Sequence, residues 1–139
     1  MAEIGVGASF FLAAAGSMIG TFISGAATVG AWKKCSLQNK PVPFVMVAFA
    51  GAPLTNMIYG FILMNQLAAS EILSPFQLFY MGTVAGMVLF GAALYQARCA
   101  AHASEAYGET GQGFGNYIMV IGICETVGLF TMVFTMLFA

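Results

Sequence analysis

Glu125 is an acidic residue in the middle of an apolar segment that runs from Tyr117 to Phe138. An acidic side chain at the centre of a membrane helix costs roughly 2.5–3.5 kcal/mol on insertion scales, and such residues mostly mark ion or proton pathways. The position of Glu125 therefore predicts that its carboxylate binds a transported cation or proton. The structural alternative is a glutamic acid that stays protonated and is hydrogen-bonded to a neighbouring helix.

Further oxygen donors lie in the second apolar segment of the chain. Thr55 and Tyr59 are four residues apart and share a helix face, with Asn56 beside them. Pro53 has no N–H to donate, and its ring distorts the turn, which can leave backbone carbonyls free to coordinate a cation. The alternative is a Pro-kinked helix whose Thr and Tyr hydroxyls only satisfy local groups.

Gln96 adds an amide from the third apolar segment. We expect that helix to continue beyond the apolar residues and to stop at Gly108, which places the following turn near residues 110–111. Gln96 and Glu125 are equally distant from that turn, so an antiparallel hairpin brings them to one depth, although spacing alone does not decide whether they face each other. The alternative for Gln96 is a side chain at a helix end that bonds to water.

These side chains together supply one carboxylate, two amides and two hydroxyls. Such hard oxygen donors suit Na⁺, Mg²⁺ or Ca²⁺ rather than soft metals. One carboxylate balances one monovalent charge, and a proton needs only the carboxylate, so the larger donor set favours Na⁺. The three cysteines and the single histidine form no metal-binding pattern. We expect free thiols, with Cys124 an ordinary small apolar residue, and a solvated His102.

The elements that carry these residues are membrane helices. The chain is 60% hydrophobic and only 6% charged, whereas soluble domains are about 25% charged. Four apolar segments can each cross a bilayer, since about 20 helical residues suffice and irregular backbone is excluded from lipid. They cover residues 8–31, 42–66, 76–97 and 117–138. The predicted fold is all-α, with one hairpin over residues 1–70 and a second over residues 71–139.

Loop charges predict the orientation in the membrane. Lys33, Lys34 and Lys40 lie in the first loop and Arg98 opens the third, whereas the second loop and both termini lack Lys and Arg. The positive-inside rule then places loops 32–41 and 98–116 in the cytoplasm and both termini outside. The N-terminus lacks the positive region of a signal peptide, so the first apolar segment is expected to remain in the mature protein. The net charge of −1 gives no reason to expect a nucleic-acid partner.

Glycines repeat along the chain in a way that predicts an assembly. Three glycines of the first helix recur in the third at one constant offset, which indicates a duplicated hairpin, and each set begins with a GxxxG pattern that allows close helix contact. Their positions are Gly16, Gly20 and Gly25, then Gly82, Gly86 and Gly91. Because the second and fourth helices are bulkier, the subunit is expected to be a wedge. Wedges side by side can close into a ring with the Gly-rich helices inside.

With these features in view, the chain resembles the membrane-ring proteolipid (the c or K subunit) of V/A-type rotary ATPases. The resemblance extends over essentially the whole chain and is carried by the two hairpins, the Gly-rich helices and the single glutamate on the fourth helix. The segment Pro53–Phe61, together with Gln96 and Glu125-Thr126, is similar to the sodium-transporting members of that family.

The resemblance implies a set of ion ligands. It implies that Na⁺ is held by Glu125, Gln96, Thr55 and the amide beside it, with a backbone carbonyl at Ala52. It also implies that the Tyr59 hydroxyl locks the glutamate. The family's amide beside the threonine is usually Gln; the shorter Asn56 of this chain either binds through water or does not bind directly.

The resemblance also implies the function and the partners. The chain would be a rotor-ring subunit that carries one cation across the membrane, with no enzymatic activity and no cofactor of its own. Its partners would be copies of itself, a stator subunit with an essential arginine, a central-stalk subunit at the cytoplasmic loops, and lipids. A bacterial plasma membrane would be its location.

Three other classes of protein remain as alternatives. A proton-translocating ring would have the same fold, with Glu125 simply protonated. Small four-helix antiporters also use a membrane glutamate, but they usually carry it on the first helix and lack a duplicated glycine pattern. A membrane enzyme of the glutathione-transferase type needs basic residues for an anionic cofactor, and this chain has only four Lys and Arg together.

Overall fold

A computed structural model describes all 139 residues of the chain, and the prediction of an all-α fold is confirmed. There are no strands, and four helices are long and apolar enough to cross a membrane, which indicates an integral multi-pass membrane protein. The helices are α1 (Ala2–Leu37), α2 (Phe44–Ala68), α3 (Pro75–Thr110) and α4 (Phe114–Leu137). The connector between the two predicted hairpins spans residues 69–74. The division into two hairpin units stays a prediction.

Helices α1 and α3 both extend well beyond their apolar segments, which was expected for α3 but not for α1. Each has 36 residues, or about 54 Å at 1.5 Å per residue, whereas a hydrocarbon core is about 30 Å thick. The predicted loops 32–41 and 98–116 are therefore largely helical, and only residues 38–43 and 111–113 connect the helices at this end. Alanines favour helix beyond the apolar segment of α3.

The predicted helix stop at Gly108 is wrong. Helix α3 ends at Thr110, and Gly111 caps it in the left-handed conformation with φ of 67°, which glycine adopts without a steric cost. Gly108 lies inside the helix and is buried against α1, where a Cβ atom would come within 2.9 Å of the Ala31 Cβ. Its small size is thus needed for helix packing rather than for chain reversal.

Small residues bring α1 and α3 into backbone contact. A Cβ added at Gly16 would lie 2.6 Å from the Phe90 Cα, and one added at Gly86 would lie 2.5 Å from the Ala8 carbonyl oxygen. The buried face of α1 consists entirely of Gly, Ala, Ser, Thr and Cys. Close approach of small-residue faces is a main source of helix association in lipid.

Helix α2 is irregular around Pro53, as its sequence predicts. A 3₁₀ turn at Ala52–Leu54 separates two α-helical parts, Val47–Gly51 and Thr55–Ala68. Hydroxyls of α1 bond to backbone carbonyls of this region: Ser17 donates to the Pro53 oxygen at 2.8 Å and Ser24 to the Ala50 oxygen at 2.9 Å. Helix α1 therefore satisfies carbonyls next to the proline.

The two ends of the bundle differ in charge. At one end, Lys34 pairs with the Glu109 carboxylate at 3.7 Å, and Lys40 donates to the Glu109 carbonyl oxygen at 3.2 Å. At the other end, the Ser70 hydroxyl donates to the carbonyl oxygen of Ala139. The Lys-bearing connection 38–43 thus lies beside the connection 111–113 at one end of the bundle, as the orientation argument requires, whereas Arg98 lies within α3. Which end faces the cytoplasm stays a prediction.

Candidate ion-binding site

The Glu125 carboxylate lies about midway along α4 and accepts hydrogen bonds on both of its oxygens. Tyr59 of α2 donates its hydroxyl to Oε1 at 2.6 Å, and Gln96 of α3 donates its amide Nε2 to Oε2 at 3.3 Å. The side chain is partly buried where α2, α3 and α4 meet. The antiparallel hairpin of α3 and α4 therefore does bring Gln96 to the carboxylate, which settles the question that spacing left open.

Asn56 of α2 continues this hydrogen-bonded arrangement beyond Gln96. Its amide Nδ2 donates to the Gln96 Oε1 at 2.9 Å, so the two amides and the carboxylate form a chain of hydrogen bonds that ends on Glu125. Asn56 and Gln96 are both fully buried. A side-chain amide keeps nearly the same shape when its nitrogen and oxygen exchange places, so this chain can also run in the reverse sense.

The Asn56 Oδ1 atom is one of two buried side-chain oxygen or nitrogen atoms that have no hydrogen-bond partner. It points at Gly128 of α4, where an added Cβ would collide with it. A buried acceptor without a partner costs about 1–3 kcal/mol. The site thus holds one polar atom whose bonding is incomplete in this arrangement.

Neither Thr55 nor Ala52 is hydrogen-bonded to the carboxylate. The Thr55 hydroxyl donates to the Ala52 carbonyl oxygen at 3.0 Å, one turn earlier in α2. Their two oxygens lie beside each other in the irregular part of the helix, at the start of the turn that carries Asn56 and Tyr59. The structure therefore divides the six predicted site residues into two groups. Glu125, Tyr59, Gln96 and Asn56 form one hydrogen-bonded set, and Thr55 and Ala52 form a separate pair.

No basic side chain balances Glu125. The two ion pairs of the chain join Lys34 to Glu109 and His102 to Glu105, and neither involves the membrane carboxylate. His102 is 83% exposed; its solvation by water stays a prediction. Any counter-charge for Glu125 must come from a bound cation, a proton or another chain.

Two features of this region were missed from the sequence. Gly128 forms the surface beneath Asn56, and Cys99 faces Cys124 with 3.3 Å between their sulfur atoms. Both arise from contacts between helices, and only the hairpin register, fixed by the turn at 111–113, could have indicated the cysteine pair. All three cysteines are free, as predicted.

The predicted glycines divide into two groups by what surrounds them. Added Cβ atoms at four of them would meet other helices: Gly16, Gly20, Gly82 and Gly86. Gly25 and Gly91 have nothing within 4 Å of an added Cβ. These last two make no close contact within the subunit, so their predicted packing role requires a neighbouring chain.

Residues 79–138 match the family model of the C subunit of ATP synthase. The matched part contains most of α3 and all of α4, and hence both Gln96 and Glu125, but it does not include the first hairpin. No curated protein sequence is significantly similar to the chain. The match therefore links the hairpin that carries the carboxylate to the membrane rotor subunits, which are not catalytic on their own.

Proposed function

We propose that this chain is a rotor-ring subunit of a V/A-type rotary ATPase and that it carries one cation at Glu125 in each copy. The observation that carries the proposal is the Glu125 carboxylate, held by Tyr59 and Gln96 and lying in the hairpin that matches the ATP synthase family. An acidic residue at this depth is costly and is mostly found where ions or protons pass. The four apolar helices and the lack of a basic partner for Glu125 support the same function.

Sodium is the proposed cargo. Loading would require Gln96 to present an oxygen to the ion, which a half-turn of its amide supplies. The Asn56 amide would make the same half-turn, so that its oxygen rather than its nitrogen faces Gln96. The Gln96 nitrogen would then donate to the Asn56 Oδ1, the acceptor that has no partner in the present arrangement. The ion would thus meet Gln96 and Glu125 directly, while Asn56 orients Gln96 through the amide chain rather than binding the ion.

The Thr55–Ala52 pair offers two further oxygens to such an ion. They lie at the 3₁₀ part of α2, and their 3.0 Å separation is compatible with both binding one cation. Hard oxygen donors of this kind suit Na⁺. A proton would need none of them, because it would reside on the carboxyl group itself.

The cost of charge in lipid determines which state of the site can face the hydrocarbon. A loaded site is neutral and can face the hydrocarbon, whereas an empty carboxylate cannot do so cheaply. Exchange would occur where a stator subunit supplies water access and an arginine for the empty carboxylate. Copies of this chain would form the ring, with the lysine-bearing end toward a central-stalk subunit in the cytoplasm. A bacterial plasma membrane remains the proposed location.

Carbodiimide labelling of the purified protein tests this function directly. The reagent attacks a protonated carboxyl in an apolar setting, and mass spectrometry identifies the modified residue. We expect Glu125 to be labelled and Na⁺ to slow the labelling, with K⁺ at the same concentration as the control for ionic strength. Labelling that is insensitive to Na⁺ would replace sodium by protons, and no labelling at any pH would overturn the transport function.

The Glu125→Gln variant provides the matching loss-of-function test. Its carboxamide is nearly isosteric and can keep the hydrogen bond with Tyr59, but it cannot carry a charge or release a proton. We expect ion transport to be abolished and assembly to be retained, with Glu71→Gln, an exposed residue of the connector, as the control. Full transport by Glu125→Gln would refute the proposed role.

A further inference from the structure

Cys99 of α3 and Cys124 of α4 form a pair of thiols across the second hairpin. Their sulfur atoms are 3.3 Å apart, and both cysteines are free. The third cysteine, Cys35, is buried elsewhere and donates its thiol to the Gly108 carbonyl oxygen. The chain therefore has one dithiol and one isolated thiol, which can be distinguished by experiment.

The dithiol lies between two apolar grooves on the surface of the bundle. A groove of about 320 Å³ is lined by Cys99, His102 and Tyr117 among others. A second groove of about 350 Å³ on the other side is lined by Cys124, Tyr95 and Val127 among others. Both cysteines are partly exposed in the single chain. The groove beside Cys124 also includes Gly91, which is expected to face a neighbouring chain, so the groove beside Cys99 is the route by which a reagent dissolved in lipid can reach the pair.

The distance between the thiols allows a disulfide with little movement. Bonded sulfurs are about 2.0 Å apart, so these two must approach each other by about 1.3 Å. The two residues lie on adjacent antiparallel helices that are joined by the short turn at 111–113. Closure would proceed by rotation of the two cysteine side chains with a small adjustment of the two helices.

We propose that Cys99 and Cys124 are a redox modification site that a lipid-soluble quinone oxidises to an intramolecular disulfide. Two S–H bonds break and one S–S bond forms. The two electrons and two protons pass to the quinone, which becomes a hydroquinone. A dithiol reductant reverses the reaction by thiol–disulfide exchange.

The disulfide would lie directly beside the proposed ion site. Cys124 precedes Glu125 in α4, and Cys99 lies one helical turn after Gln96 in α3. A covalent link there fixes the two helix segments that carry the Gln96–Glu125 hydrogen bond. We infer that oxidation slows ion exchange at Glu125; this consequence, unlike the oxidation itself, rests on the proposed function.

The experiment treats the full-length protein in lipid vesicles with a tetramethyl-substituted benzoquinone, whose ring has no free position for thiol addition. Alkylation after denaturation then counts the remaining thiols. We expect the count to fall from three to one, with a loss of two hydrogen masses and no covalent dimer, and dithiothreitol to restore all three. The Cys35→Ala control should lose both of its thiols, whereas Cys99→Ala and Cys124→Ala should lose none.

Three unreacted thiols, a disulfide that involves Cys35, or a disulfide between two copies of the chain would each overturn the assignment. The functional consequence is measured separately as the rate of carbodiimide labelling at Glu125. We expect that rate to fall severalfold on oxidation of the wild-type protein and to be unaffected in Cys124→Ala. An unchanged rate in the oxidised protein would refute the effect on ion exchange while leaving the redox site intact.

Discussion

Tyr59→Phe removes a single hydroxyl from the site and should weaken sodium binding by a predictable amount. The hydroxyl donates to the Glu125 carboxylate at 2.6 Å. A hydrogen bond to a charged group is worth about 1.5–3 kcal/mol, and one to a neutral group about 0.5–1.5 kcal/mol. Sodium competes with a proton for the carboxylate. The variant therefore loses only the difference between the hydrogen bond to the charged carboxylate and the one to the neutral carboxyl, about 1–1.5 kcal/mol. That corresponds to a rise of about five- to twelvefold in the sodium concentration needed for half-protection.

The assay is carbodiimide labelling of Glu125 at fixed pH over a series of sodium concentrations. Tyr95→Phe is the matched control, because Tyr95 lies one residue from Gln96 in α3 and its side chain is exposed. The control should behave like the wild-type protein. An unchanged half-protecting concentration in Tyr59→Phe would refute the argument that this hydroxyl favours the charged, loaded carboxylate.

Three further variant pairs test other parts of the structure. Gln96→Ala should weaken the protection of Glu125 by sodium more than Thr55→Ala, because only the glutamine is hydrogen-bonded to the carboxylate. If the variants lost sodium transport and proton transport equally, both residues would have a structural role. Gly16→Leu should separate α1 from α3 and so lower the unfolding temperature, followed by circular dichroism, far more than Gly25→Leu, since nothing in the subunit lies near Gly25. Both variants should lose the oligomer in native mass spectrometry. A normal oligomer in Gly25→Leu would refute the wedge arrangement. Gly128→Ala should displace the buried Asn56 amide and reduce the protection of Glu125 by sodium, whereas Gly122→Ala, with open space around it, should not. Equal protection in both variants would show that the hydrogen bonds from Asn56 through Gln96 have no part in sodium binding.

The sequence was sufficient to predict the membrane helices and the central carboxylate. The length of an apolar segment and a single charge within it can be read directly from the sequence. They are informative because the bilayer imposes the same requirement on every helix that crosses it. The depth match of Gln96 and Glu125 also followed, since a short turn between antiparallel helices fixes the register. These predictions needed no knowledge of side-chain rotation.

The contacts within the site were less accessible from the sequence. Thr55 and Asn56 are neighbours in the chain, yet one bonds within its own helix and the other crosses to Gln96. That division depends on the rotation of α2 after its 3₁₀ turn. The helix end at Thr110 was also missed, because Gly108 resembles a capping residue and only its contact with Ala31 reveals its packing role.

The hydroxyls that α1 directs at the proline region have a consequence for how the site can move. A proline in a helix is often a hinge, because carbonyls near it lose their partners. Here Ser17 and Ser24 bond to carbonyls of that region, and an unsatisfied carbonyl in lipid would cost several kcal/mol. Bending α2 would break these hydrogen bonds, so we expect the proline region to be rigid and not to act as a hinge. Ion exchange would then proceed by rotation of the Glu125 side chain, a motion of the picosecond-to-nanosecond class when unhindered, rather than by the far slower movement of a helix.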